Sequence, residues 1–260
     1  MSFRRNSLTF LLFATALFVQ DPAKAPDKQD KDVAEKLTLL KKAVADKKRE
    51  RDAEGIQVID HLLTKLNAGM HDKDKQAFVK GLDDVLFSGR LRDPESTSLY
   101  VAAAAALGQC GEDGAKVLHK AIKDERFPNK PAWISMREQF VKNLGKTHDE
   151  SMVDFLCDLA RTNPQDAMMG AAGEALGNFE DSKDAVRKKI VGDLLVRYGE
   201  LDQLASVLDS GNIAAQNARN TMAVISEKWN TTLSKLTRQD FRKFTEWNAW
   251  YNKNKGSAWK

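Results

Sequence analysis

Four histidines, two cysteines and one acid-rich run are the residues of this 260-residue chain best suited to metal or nucleophilic chemistry. His61 sits beside Leu62 and His119 beside Leu118, on helical stretches, whereas His71 and His148 fall in turns between helices. There is no His-Glu-x-x-His and no Cys-x-x-Cys spacing, the arrangements that place zinc donors on one side of the backbone. The run Asp72-Lys73-Asp74-Lys75-Gln76 begins like a calcium loop. Its sixth position is Ala77, where the sharp turn needs glycine, and its twelfth is Asp83 rather than glutamate. An acid-rich helix N-terminus accounts for it. The stretch from Gly111 to Gly114 is too short for a phosphate loop and lacks the following Lys-Ser/Thr pair. Serine and histidine occur without a nucleophile motif. No catalytic, cofactor-binding or metal-ligating residue is assigned, and the chain is expected not to be an enzyme.

A different chemistry, surface binding, is concentrated at the C-terminus. Between 228 and 260 stand eight basic residues against Asp240 and Glu246 alone. Phe241, Phe244, Trp247, Trp250, Tyr251 and Trp259 are interleaved with them. A basic aromatic surface can hold an anionic glycan, a nucleic acid or anionic lipid. Arg242, Lys243, Trp247, Trp250 and Tyr251 are the candidate partner-binding residues. The competing reading is a terminal cap that seals an apolar end.

The elements that must position these groups are helical. Charged residues make up 30% and apolar residues 42%, so the chain is neither a disordered polyelectrolyte nor a polytopic membrane protein. With 15 glycines and 6 prolines, and abundant Ala, Leu and Lys, the balance favours helix over strand. Val33, Leu37, Leu40 and Val44 have coiled-coil-like spacing. Further apolar stripes at helical spacing follow along the chain, including Ile56–Leu66, Phe78–Leu86, Met152–Ala160 and Val186–Leu195. Asp46 to Asp52 is a charge run that reads as a solvated face or connection. No long stretch alternates with period two. A net charge of +4 is too balanced for a dedicated nucleic-acid binder.

The helices pair, and the pairs recur. Leu107-Gly108, Leu144-Gly145 and Leu176-Gly177 each close a helix ahead of a short polar stretch with acidic residues, and Leu66-Asn67, ending at Gly69, is a degenerate earlier member. A period of roughly 30 to 45 residues with two helices per unit is the mark of a helical solenoid, because one pair cannot bury its apolar face alone. Each glycine is expected to end its helix in the left-handed conformation.

Ala102–Leu107-Gly108 followed by Ala115-Lys116-Val117-Leu118 resembles a HEAT-like repeat, and so does Ala171-Ala172-Gly173-Glu174-Ala175-Leu176-Gly177. Leu236-Thr237-Arg238-Gln239-Asp240-Phe241, with Trp247, Trp250-Tyr251 and Asn254, is similar to the end of many exported bacterial HEAT-repeat proteins. That group typically has glycine where Arg238 stands and a Trp pair where Trp250-Tyr251 stands. The resemblance implies an all-α, right-handed solenoid of HEAT-like helix pairs with a C-terminal aromatic capping helix, and brings no reaction with it.

Arg4 and Arg5 precede an apolar core from Leu8 to Val19, with small-x-small sequences inside it at Ala14–Ala16 and after it at Ala23–Ala25. This reads as an export signal over 1–25, with an uncleaved anchor as the alternative. Export to the periplasm or exterior would permit a Cys110–Cys157 disulfide, though two separate buried or semi-buried thiols are the favoured reading, with Cys110 in a turn and Cys157 on an apolar helix face. Nothing after the signal is long and apolar enough to span a bilayer. The expected organisation is a charged amphipathic helix over 26–54, repeats over 55–228 and a basic aromatic cap over 229–260. The expected function is a noncatalytic scaffold for a protein partner, without a cofactor. The alternative is a module that binds a polyanion, such as an anionic glycan, or another envelope component through the C-terminus.

Overall fold

The computed structural model describes residues 28–209 and 211–259; the expected export signal over 1–25 lies outside them. Eleven α-helices and three short 3-10 turns make up the regular structure of the described residues, with no strand among them. In chain order they are α1 (Lys31–Ala45), α2 (Asp52–Asn67), α3 (Asp72–Phe87), α4 (Ser98–Leu107), α5 (Glu112–Lys123) and α6 (Pro131–Lys146). Then come α7 (Val153–Thr162), α8 (Asp166–Leu176), α9 (Asp184–Ala205), α10 (Ile213–Thr237) and α11 (Phe244–Asn254). The all-helical expectation holds. The expected unit boundaries do not coincide with breaks in the chain: 54/55 falls inside α2 and 228/229 inside α10. The apolar register of α10, Ile225, Trp229, Leu233 and Leu236, runs through the second boundary unbroken.

Local chemistry sets several helix starts. The Asp30 carboxylate accepts the amide of Asp32 and begins α1, and the imidazole of His71 accepts the amide of Lys73 and begins α3. Asp72 and Asp74 lie in the first turn of α3, so the calcium-like run is the acidic start of a helix. Asp74 is buried and accepts from Gln29 and from the amide of Asp30, which ties the entry of α1 to the entry of α3. Pro131 occupies the first turn of α6, where its missing N–H costs nothing.

Packing runs along two rows. α2 packs on α4, α4 on α6, α6 on α8 and α8 on α10. On the other side α1 packs on α3, α3 on α5, α7 on α9 and α9 on α11. Cross-contacts join the rows between α1 and α2, α3 and α4, α5 and α6, α7 and α8, and α9 and α10. The apolar stripes meet in one cluster that extends from Val33 to Trp259. Each large side chain moved from water into that core contributes about 1.5–3 kcal/mol.

The Leu-Gly steps act differently from the expectation. Gly108 and Gly177 are right-handed, at φ −57° and −65°, and Gly145 lies within α6. Left-handed backbone occurs instead at Gly69, Gly89, Gly111, Arg49, His148 and Arg238. The physical reason for the Leu-Gly glycines is close approach. A β-carbon on Gly108 would stand 3.1 Å from the Asn143 carbonyl oxygen of α6, and one on Gly177 would stand 3.0 Å from the Thr232 hydroxyl of α10. One on Gly145 would collide with the backbone of Ala175 in α8. The repeated glycine brings each even-numbered helix against the next.

Candidate interaction surface

The C-terminal segment separates its aromatic from its basic residues. Trp247 is fully buried, and its indole N–H donates to Asn230 Oδ1 of α10 at 2.9 Å. The Asn230 amide in turn donates to the carbonyl of Arg242 at 3.1 Å. Phe244 and Tyr251 lie along α9, over Gly199 and Gly192: β-carbons at these glycines would stand 2.6 Å from the Phe244 ring and 2.7 Å from the Tyr251 hydroxyl. Trp250 is half-buried against Trp259, ring centroids 5.2 Å apart. Trp259 is itself buried. Arg242 and Lys243 are exposed. Of the five candidate binding residues, these two present charge to solvent, Trp250 and Tyr251 offer partial surfaces, and Trp247 packs inside the protein with its one polar atom satisfied.

The tail is fastened to the start of α9. The amide of Trp259 donates to Asp184 at 2.7 Å, and Arg187 donates to Asp184 at 2.6 Å and to the carbonyls of Leu236 and Trp259. The Trp259 amide, followed by Arg187, holds the Asp184 carboxyl below the usual carboxylate range.

A second surface, absent from the sequence reading, lies over α8. Between Met168 and Leu176 every residue is buried except Glu174. Glycines admit the neighbours closely: a β-carbon on Gly170 would meet Lys228, and one on Gly173 would collide with the Trp229 indole. α8 therefore sinks between α6 and α10 and leaves a recess whose floor is Glu174. Two cavities of about 350 and 170 Å³ share Glu174 and Lys235, and a third of about 270 Å³ adjoins them through Thr231 and Lys235. Lys142 and Lys146 of α6 and Lys228 and Lys235 of α10 stand on the walls, with Arg238 and Arg242 at the far end. Lys142 pairs with Glu174 at 3.0 Å, Lys228 with Glu138 at 3.8 Å and Arg238 with Glu180 at 3.6 Å. Lys146 and Lys235 are exposed. The cationic half of the C-terminal segment thus joins lysines from α6, nearly a hundred residues earlier. The small residues of α8 were the available signal, since a helix rich in Gly and Ala lets its neighbours close over it.

The histidines are dispersed. His61 meets Asp32 at 2.7 Å, His71 caps α3, His119 lies edge-on to Phe155 with centroids 4.4 Å apart, and His148 meets the carbonyl of Asn178 at 2.9 Å. Cys110 and Cys157 are buried free thiols. Burial pushes them up to about 11 and about 12, away from the thiolate that nucleophilic chemistry requires. Among the described residues, no three His, Cys, Asp or Glu gather as a metal site would need, and no helix is long and apolar enough to cross a membrane. Searches against protein-family models, curated proteins and solved structures find no match for this chain.

Proposed function

We propose that the protein is an exported, noncatalytic scaffold that binds a protein partner, built as a right-handed α-solenoid of HEAT-like pairs and capped by α11. The two rows of neighbouring helices support the solenoid reading. The recess over α8 carries the binding reading: a helix whose Met168–Leu176 stretch is buried except for Glu174, walled by lysines and by Glu227, offers a concave polar track to an extended segment. The test is recovery of partners from the exporting cell with the mature protein, compared with the variant Lys142→Glu/Lys235→Glu. One stoichiometric protein, lost with the variant, is the expected result. Equal recovery by the variant would remove the recess from the proposal, and recovery of polysaccharide or nucleic acid in place of protein would replace the reading.

A second reading, attachment to a polyanion, is favoured by the alignment of Lys146, Lys235, Arg238 and Arg242 along this track. It requires binding that falls steeply with salt, since each neutralised phosphate or sulfate releases counterions. Flat salt dependence would reject it.

A further inference from the structure

Two features lie outside the recess and are complementary to each other. The first is the tip of the α9–α10 hairpin. Leu208 is 98% and Ile213 76% exposed, with Leu204 and Val207 beside them in the chain also exposed. Apolar groups gathered in water in this way mark contact surfaces. The tip is weakly acidic: Glu200, Asp202 and Asp209 stand against Arg197 and Arg219, and no lysine occurs between Lys189 and Lys228. Its two arginines are already engaged, Arg197 with Glu200 at 2.9 Å and Arg219 with the carbonyls of Ala205 and Val207 at 3.1 and 3.0 Å. Such a tip lacks the lysine cluster that draws a segment to an anionic bilayer surface.

The second feature is a groove of about 620 Å³ between α1 and α3. Leu37, Val44, Ala45 and Ala77 supply its apolar lining, and the exposed Lys41 and Lys80 stand one on each helix, against the single carboxylate of Asp84. Gly81 lets Leu37 pack closely across the groove, its side chain within 3.0 Å of where a β-carbon would stand.

We propose that the hairpin tip of one copy docks in the α1–α3 groove of a second copy, with Leu208 and Ile213 against the apolar lining and Asp202 and Asp209 facing Lys41 and Lys80. The contact is heterologous: each copy keeps a free tip or a free groove, so association continues into a chain or closes into a ring. It is independent of the recess over α8.

The experiment is sedimentation of the purified mature chain up to about 200 µM, a range in which weak contacts between copies become populated. Mass should rise with concentration. Leu208→Lys and Lys41→Glu/Lys80→Glu alter only exposed side chains, and circular dichroism checks that both are folded. Each variant alone should need at least ten-fold more protein to associate. Mixed in equal amounts they should form one-to-one pairs, because the first retains a working groove and the second a working tip. A wild type of single-chain mass throughout, a Lys41→Glu/Lys80→Glu variant that associates like wild type, or a mixture that stays monomeric would each overturn the proposal.

Discussion

The α-carbon of Gly145 on α6 faces the backbone of Ala175 on α8 with no room for a β-carbon between them. The neighbour is main chain and cannot rotate away, unlike a flexible side chain. Gly145→Ala gains up to about 1 kcal/mol in helix propensity but must push two helices apart, at about 1–3 kcal/mol for overpacking. The expected net result is destabilisation, read as a lower midpoint in urea. Gly256→Ala, with nothing within 4 Å of its would-be β-carbon, should stay within about 0.5 kcal/mol of the parent. Equal midpoints for the two variants would refute the close-approach role of the Leu-Gly step.

Asn230 is the acceptor for Trp247 and donates to the carbonyl that precedes Lys243. Asn230→Ala leaves the buried indole N–H without its partner, at a cost of about 1–3 kcal/mol. Trp247→Ala removes the whole ring from the core, at about 3–5 kcal/mol. Arg242→Ala, at an exposed position, should change stability by less than about 0.5 kcal/mol. Thermal unfolding of the three variants checks the division between packing and surface residues. A Trp247→Ala protein as stable as Arg242→Ala would restore Trp247 to the surface.

Acid should release the C-terminal tail. The Asp184 carboxyl is depressed in the folded protein by the Trp259 amide and by Arg187. A depressed carboxyl contributes its full stabilisation above the ordinary carboxylate value of about 4, and loses it as pH falls through the lower folded value. Trp259 should therefore become accessible to quenchers below about pH 4 while the helical signal persists. Asp184→Asn should show accessible tryptophan already at neutral pH and no acid step. An acid step of the same size in Asp184→Asn would assign the change to another group.

The thiols provide a check on the core. Cys110 and Cys157 should resist alkylation in the folded protein at pH 8 and react fully after denaturation, because burial disfavours the thiolate and blocks the reagent. Rapid labelling of either in the native state would contradict its burial.

Much of the fold is legible in the residue order, since helix depends on spacing that any reader of the chain can count. The stripe Phe78, Val79, Leu82, Val85, Leu86 becomes the buried face of α3, and the acidic run at Asp72 becomes its first turn. Among chain neighbours, the closest pairings in this part of the chain join α5 with α6, α7 with α8 and α9 with α10 rather than the helices that flank Leu144-Gly145 and Leu176-Gly177. That the three Leu-Gly steps stand at or next to helix ends was equally visible. The role of those glycines was not. A glycine that ends a helix and one that admits a neighbour look alike in sequence, and only the position of Ala175 or Asn143 distinguishes them.

Composition and periodicity determined an all-helical chain and a C-terminus rich in both charge and rings, because these follow from interactions within a few residues. Tertiary structure decided which rings were buried and which cations met. Trp247 turns inward because Asn230, seventeen positions earlier, satisfies its N–H, and Lys235 joins Lys142 because α8 sinks between their helices. These are relations among distant segments, fixed by how closely small residues let helices approach, and no local pattern encodes them.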